Sequence, residues 1–200
     1  MLIDSAQFYK PETITLLWAI IYSSDWLMDW WGGMLYNKKV KEICTFEKGY
    51  NIKAISEFEI NHGKILFFRY LSELFLTTLF VWLILYSCRL LASWRIYEFF
   101  CGMFLILEAC MHFRHIRNVA MFTLTDRRNG IIGNIFLPKW ISLRFAFTEF
   151  STFSLILLIV FIFDTRNYFV FGGLMASMIT AFYHLLLASL EYNIFKEKST

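Results

Sequence analysis

A cluster of charged and polar residues interrupts the third hydrophobic stretch of this chain. Eleven consecutive positions of an otherwise apolar segment include Glu108, His112, Arg114, His115, Arg117 and Asn118. A charged group at the centre of a bilayer costs about 2.5–3.5 kcal/mol, so such residues face protein, water or lipid headgroups. The cluster is therefore the first candidate for a functional site.

The residue types in this cluster suit three kinds of chemistry. Imidazoles and carboxylates transfer protons or hold metal ions, and guanidinium groups bind phosphate or carboxylate. At 100° per residue, Glu108, His112 and His115 fall within about 60° of one another on a helix, which makes them the candidate metal ligands. The neighbouring Arg114 and Arg117 disfavour a cation, and the spacing lacks the ExxH pairs of di-iron bundles. The sequence names no cofactor.

The elements that position these residues are hydrophobic helices. Of the 200 residues, 58% are hydrophobic and 20% aromatic, and they occur in apolar blocks rather than in the alternating pattern of a barrel. This composition predicts an all-α integral membrane protein, with residues 1–200 forming a single transmembrane domain. Five spans are long enough to cross about 30 Å of hydrocarbon. They cover residues 14–36, 65–91, 96–124, 140–163 and 168–192.

The first span and the two longest loops carry alternatives of their own. Asp25 and Asp29 interrupt the first span, so a re-entrant or interfacial helix is an alternative there. In the charged loop 37–64, apolar residues at helical spacing predict a short interfacial helix; they are Ile52, Ile55 and Phe58. The loop 126–139 begins with a turn signal. The four cysteines show no metal-binding spacing, which predicts buried, reduced thiols.

The basic residues predict the orientation. With five spans, one side of the membrane holds only Lys10, Arg89, Arg95 and Arg166. The other side holds Lys38, Lys39, Lys41, Lys48, Lys53, Lys64, Arg127, Arg128, Lys139, Lys196 and Lys198. The positive-inside rule places the second side in the cytoplasm, with the N-terminus outside and the C-terminus inside.

The polar residues within the spans converge on the cytoplasmic leaflet. Odd-numbered and even-numbered spans run in opposite directions, yet each places its charges in the half nearer the cytoplasm. The pattern predicts a cytoplasm-facing polar cavity in a bundle of five helices. Its candidate ligand-binding residues are Asp25, Asp29, Arg69, Glu73, Glu108, His112, Arg114, His115, Arg144, Glu149 and His184. Arg117 points away from Glu108 and is expected to reach headgroups.

Four interpretations of this cavity stay open. Pairs such as Arg69–Glu73, or Arg144 with Glu149 or Glu108, would lock the bundle structurally. The histidines and acids would form a proton or ion path in a transporter or channel. The arginines would hold an anionic solute or lipid headgroup. The same groups, with His112 or His115 as a base or metal ligand, would serve an enzyme acting on a lipid or lipid phosphate.

The leading prediction is a multi-pass protein of the plasma membrane that binds a small polar or anionic ligand in this cavity. It acts as a transporter, a channel-like protein or a subunit of a membrane complex. The sequence leaves open whether the chain is an enzyme. The expected partners are the lipid bilayer, anionic lipid and further copies or subunits. Nucleic acid is excluded, because the basic residues are spread over loops as topology determinants.

Overall fold

The computed structural model describes residues 10–46, 67–91, 93–128 and 134–199. The described elements, in chain order, are α1 (Pro11–Leu35), a π-helical segment (Tyr36–Val40), α2 (Lys41–Ile43), β1 (Cys44–Phe46), α3 (Phe67–Leu90), α4 (Trp94–Arg128), β2 (Ile135–Leu137), α5 (Lys139–Phe163) and α6 (Tyr168–Ser199). The interfacial helix predicted at Ile52, Ile55 and Phe58 lies outside the described residues.

Among the described residues, four helices are long and apolar enough to cross a membrane. They comprise Arg69–Leu90, Trp94–Thr125, Lys139–Phe163 and Tyr168–Glu197. Large apolar side chains such as Leu76, Phe80 and Leu155 are more than half exposed on them, which suits contact with lipid rather than water. The described residues are thus almost entirely helical, and the chain is a multi-pass membrane protein of the all-α class, as its composition predicts.

The first helix differs from these four. α1 has 25 residues, which is enough to cross a bilayer, but it is not among the four apolar helices, and Glu12, Asp25 and Asp29 interrupt it. The five-span prediction is thus supported for four helices and stays a prediction for α1. Pro11 lies at its first position, where a proline is tolerated because that N–H has no helical partner.

Two helices continue beyond the spans predicted from hydropathy. α4 runs to Arg128 and α6 to Ser199, whereas the apolar pattern ends at 124 and 192. Asp126, Arg127 and Arg128 were expected in a loop and are helical instead. Charged residues with adequate helix propensity continue a helix after its hydrophobic stretch has ended. At 1.5 Å per residue, the 35 residues of α4 extend about 52 Å, well beyond the hydrocarbon thickness.

The chain divides into two compact units, of which unit 1 is mostly apolar. It comprises Met1–Asp25, Phe67–His112 and Ser151–Ile179. Its core includes Ile14, Trp18, Leu85, Tyr97 and Cys101. Asn167 caps α6 by accepting a hydrogen bond from the Val170 N–H at 3.1 Å.

Two glycines bring α4 and α6 into backbone contact within unit 1. A Cβ added at Gly102 would lie 1.7 Å from the Phe169 carbonyl oxygen, and one at Gly172 would lie 1.9 Å from that of Phe99. No side chain fits at either position, so the helices cross at the closest range that backbones permit. Ser177, also buried here, donates a hydrogen bond to the Gly173 carbonyl at 2.9 Å.

Unit 2 comprises Trp26–Leu66, Phe113–Phe150 and Thr180–Thr200. One of its cores packs Tyr36, Val40, Cys44 and Phe122 together. Beside it, β1 and β2 form a parallel pair in which Cys44 faces Ile135 and Phe46 faces Leu137. The sequence predicts no strands, because three-residue strands are too short to show a period of two. Burial raises the pKa of the Cys44 thiol.

Candidate functional site

The predicted ligand-binding residues belong to both units. Unit 1 contains Asp25, Arg69, Glu73, Glu108 and His112, whereas unit 2 contains Asp29, Arg114, His115, Arg144, Glu149 and His184.

In unit 1, a histidine of α4 faces an aspartate of α1. The His112 Nδ1 atom lies 3.7 Å from an Asp25 carboxylate oxygen, and both side chains are largely buried. This separation is too long for a hydrogen bond, so any attraction between the two groups is electrostatic.

Unit 2 contains a second pair of the same kind. The His115 Nδ1 atom lies 3.8 Å from an Asp29 carboxylate oxygen, with 15% and 16% of the two side chains exposed. Four residues separate the aspartates on α1 and three separate the histidines on α4, which matches one helical turn in each case. The sequence predicts that these four residues line one cavity. In the structure, each histidine lies beside one aspartate.

Two arginines of α4 hold one carboxylate of α5 in unit 2. Arg114 Nε lies 3.5 Å from Glu149 Oε2, and Arg117 Nη1 contacts Glu149 Oε1. Glu149 was expected to pair with Arg144, whose side chain is exposed instead. Arg117 was expected to point away from the cavity; its guanidinium reaches Glu149, although half of its side chain is exposed. A long arginine side chain covers more of the helix surface than its Cα direction indicates.

A further ion pair in unit 2 escaped the sequence-based prediction. Lys139 Nζ of α5 contacts Glu191 Oε1 of α6, and each side chain is 20% exposed. Next to it, the Trp140 and Tyr192 rings pack edge to face, with centroids 5.3 Å apart. The sequence contains a signal for this pair, because antiparallel neighbours place the start of one helix beside the end of the other.

His184 of α6 is also in unit 2. Its ring stacks on Phe150 with centroids 5.7 Å apart, and Arg114 is close enough for its charge to act on the imidazole. The Nδ1 atom is buried, and no described residue forms a hydrogen bond with it. A buried imidazole nitrogen that lacks a partner is a polar group available to a ligand or a water molecule.

Two other predicted residues pair with each other within one helix. Arg69 donates a hydrogen bond to Glu73 at 3.0 Å within α3, and this pair is substantially exposed. Glu108 is partly buried in α4. Among the described residues, no three histidine, cysteine or carboxylate side chains are placed to hold a metal ion. Glu108, His112 and His115 therefore remain metal ligands by prediction only.

The arrangement in unit 2 combines anion-binding and proton-accepting groups. The guanidinium groups of Arg114 and Arg117 suit phosphate or carboxylate oxygens. The carboxylate of Asp29 lies on the Nδ1 side of the His115 ring, which places an acid beside a possible proton acceptor.

The sequence matches no protein-family model, no curated protein and no solved structure at a significant level. Every functional inference for this chain therefore rests on its own side chains.

Proposed function

We propose that this multi-pass membrane protein binds a small polar or anionic ligand among the charged side chains of unit 2. It would do so as a transporter, a channel-like protein or a subunit of a membrane complex. One observation carries the proposal: each of the four long helices that enter unit 2 supplies an ionisable side chain that is at most 20% exposed. These side chains are Asp29, Arg114, His115, Lys139, Glu149 and Glu191.

Stability alone does not explain such a set. Removing charges from water costs several kcal/mol per ion, and apolar residues of similar volume often replace a buried pair without loss of stability. Charged groups buried in a membrane protein are usually part of a path or a binding site. The charges of unit 2 therefore favour a ligand over a purely structural lock.

We further propose that the protein lies in the plasma membrane. The part of unit 2 that contains β1 and β2 would then lie on the cytoplasmic side. β1 precedes α3 and β2 follows α4, so two membrane crossings, an even number, separate the strands. Because the strands pair, they must lie on the same side of the membrane, which supports part of this orientation. The lysine-rich segments adjoin these strands, and the positive-inside rule places them in the cytoplasm whether or not α1 crosses.

Single cysteines test the orientation. In a variant whose four native cysteines are replaced by serine, Arg166→Cys is expected to react with a membrane-impermeant maleimide in intact cells. Lys196→Cys is expected to react only after the cells are opened. Both side chains are exposed, so access to solvent is matched. The reverse labelling pattern would overturn the orientation.

Thermal unfolding of the purified protein in neutral detergent tests ligand binding. The probes are sodium phosphate, sodium glutamate and phosphatidylglycerol. A ligand at one hundred times its dissociation constant stabilises the folded state by about 2.7 kcal/mol, which gives a measurable rise in Tm. At least one probe is expected to raise Tm in the wild type and in Arg166→Gln, and to have no effect in Arg114→Gln. If no probe raises Tm, the proposal fails.

A second candidate is an enzyme that acts on a lipid or lipid phosphate. The His115–Asp29 pair favours it, because an imidazole close to a carboxylate is the combination from which a general base is built. Phosphate release from phosphatidic acid in mixed micelles tests this candidate, with His115→Gln as the inactive variant and His112→Gln as the comparison. Elemental analysis of the purified protein tests metal dependence. Absence of phosphate release in the wild type would exclude this reaction.

A further inference from the structure

The Glu149 carboxylate lies where an external anion would bind. Its two oxygens are shared between two guanidinium groups, Arg114 on Oε2 and Arg117 on Oε1. A phosphate offers the same arrangement of negative oxygens, with at least one more oxygen to accept a bond. The position of Glu149 thus outlines a site for a tetrahedral anion.

The two arginines differ in depth and are held from different sides. Arg114 is 16% exposed, whereas Arg117 is 51% exposed. The Arg117 Nη2 atom donates a hydrogen bond to the Asn118 side-chain oxygen at 2.7 Å, which restrains the plane of its guanidinium. One cation therefore lies inside the protein and the other near its surface, so an anion can approach Arg117 first.

The hydrogen bonding of Glu149 is incomplete. Both carboxylate oxygens are buried, and neither accepts a hydrogen bond of acceptable geometry from a described residue. The carboxylate is therefore held mainly by charge. A free or lipid-borne phosphate carries more acceptor oxygens than a carboxylate, so it can accept hydrogen bonds from both guanidinium groups at once.

His184 provides a separate observation that points to a ligand. Its buried Nδ1 lacks a hydrogen-bond partner among the described residues, and its ring stacks on Phe150, the residue that follows Glu149. The charge of Arg114 acts on the same ring. In the tautomer that carries the proton on Nδ1, His184 can donate a third hydrogen bond to an anion beside Arg114.

We propose that Arg114, Arg117 and His184 bind a phosphate group, and that Glu149 is the internal competitor that occupies the two arginines when this group is absent. The inference rests on the proposed function. It adds the class of ligand, a phosphate group, and a means of release, in which Glu149 replaces the phosphate on the two arginines. The phosphate belongs either to a lipid headgroup or to a free solute. No covalent step is involved, because Glu149 and the phosphate exchange places on the same guanidinium groups.

Removing the competitor tests the proposal. In neutral detergent, Glu149→Gln is expected to lower the dissociation constant for inorganic phosphate about tenfold, which corresponds to a gain of about 1.4 kcal/mol. Glu149→Asp, with its shorter reach, is expected to give a smaller decrease. Arg114→Gln and His184→Phe are expected to weaken binding at least about tenfold, and Arg166→Gln to leave it unchanged. Gel filtration establishes that each variant is folded.

Nanodiscs distinguish the two sources of phosphate. The protein is reconstituted in mixed phosphatidylglycerol–phosphatidylcholine membranes and the lipid bound to it is measured. If phosphatidylglycerol co-purifies with the wild type and is lost in Arg114→Gln, the phosphate belongs to a lipid headgroup. Binding of inorganic phosphate without such enrichment identifies a solute.

The failure of this inference differs from that of the proposed function. If the folded Glu149 variants bind phosphate no more tightly than the wild type, the competitor role is overturned. If glutamate binds and neither phosphate probe does, the ligand class is overturned while the proposed function stands. If no probe binds any variant, both fail.

Discussion

Unit 1 and unit 2 are held together in different ways, although four of the long helices contribute to both. In unit 1, α4 and α6 meet through Gly102 and Gly172, where backbone touches backbone. In unit 2, the helices are joined by ion pairs such as Arg114–Glu149 and Lys139–Glu191. One helix can thus be a packing element along one stretch and a carrier of charges along the next.

These two kinds of contact between helices differ in the space and the movement that they allow. Closely packed backbones leave no space for a ligand and little freedom to move, since no side chain can yield. Ion pairs between helices can exchange one partner for another at lower cost, because a charged ligand replaces the lost interaction. Unit 1 is therefore suited to holding its helices together, whereas the ion pairs of unit 2 are suited to the exchange of partners that the proposed function requires.

The largest expected effect is steric and lies in unit 1. Gly102→Leu is expected to destabilise the protein by about 3 kcal/mol or more, because the added side chain overlaps the Phe169 backbone. Unfolding in a denaturing detergent, followed by tryptophan fluorescence, measures the loss. Leu158→Ala, at a lipid-facing position of the same unit, is the control and is expected to change little. Equal stability of the two variants would show that the backbones are not in contact.

The next effect concerns the buried ion pair of α5 and α6 in unit 2. Lys139→Met alone is expected to destabilise by about 2 kcal/mol, because the Glu191 carboxylate loses its counterion. The double variant Lys139→Met/Glu191→Leu is expected to lie within about 1 kcal/mol of the wild type. The same unfolding measurement applies. A double variant as unstable as the single one would show that this pair, like the glycine contact, is needed for packing.

A smaller effect is expected at the two histidine–aspartate pairs. In each pair an aspartate carboxylate lies close to an imidazole nitrogen, at 3.7 Å in unit 1 and 3.8 Å in unit 2, and attracts it without a hydrogen bond. Asp25→Asn in unit 1 and Asp29→Asn in unit 2 are each expected to reduce stability by about 1 kcal/mol in the same unfolding measurement. Only Asp29→Asn is expected to alter the Tm shift that a bound probe produces. Equal influence on that shift would contradict the division of roles.

The smallest effect concerns thiol reactivity. Cys44 lies in β1, outside the spans, and is expected to react with a maleimide before Cys101, which is fully buried in unit 1. Because burial raises the pKa of Cys44, its rate is expected to keep rising at a pH where an ordinary thiol has levelled off. Mass spectrometry of the labelled protein gives both rates. Reaction of Cys101 first would indicate that unit 1 opens more readily than unit 2.

The sequence predicts the helices well, because their hydrophobic stretches carry the signal over many residues. Four of the five predicted spans agree with α3, α4, α5 and α6 to within a few residues, except where charged residues extend α4 and α6. The strands β1 and β2 have no comparable signal, since their pairing joins segments that are distant in the chain.

The sequence predicts which residues belong to the candidate site better than it predicts which of them pair. The cost of burying charges identifies Arg114, His115 and Glu149 directly from composition and position. Partner choice depends on side-chain length and helix rotation, which sequence spacing does not determine. Arg117 therefore replaces Arg144 as a partner of Glu149, and Lys139–Glu191 appears as a pair that depth alone suggests only weakly.

The pairing of β1 with β2 also has a consequence for biogenesis. β1 can pair with β2, which places Cys44 opposite Ile135, only after the ribosome has synthesised α3, α4 and the segment that follows them. Closure of this ladder is thus a late event that reports successful insertion of the intervening hairpin, and a chain that fails to insert exposes two unpaired strand edges to quality-control proteases.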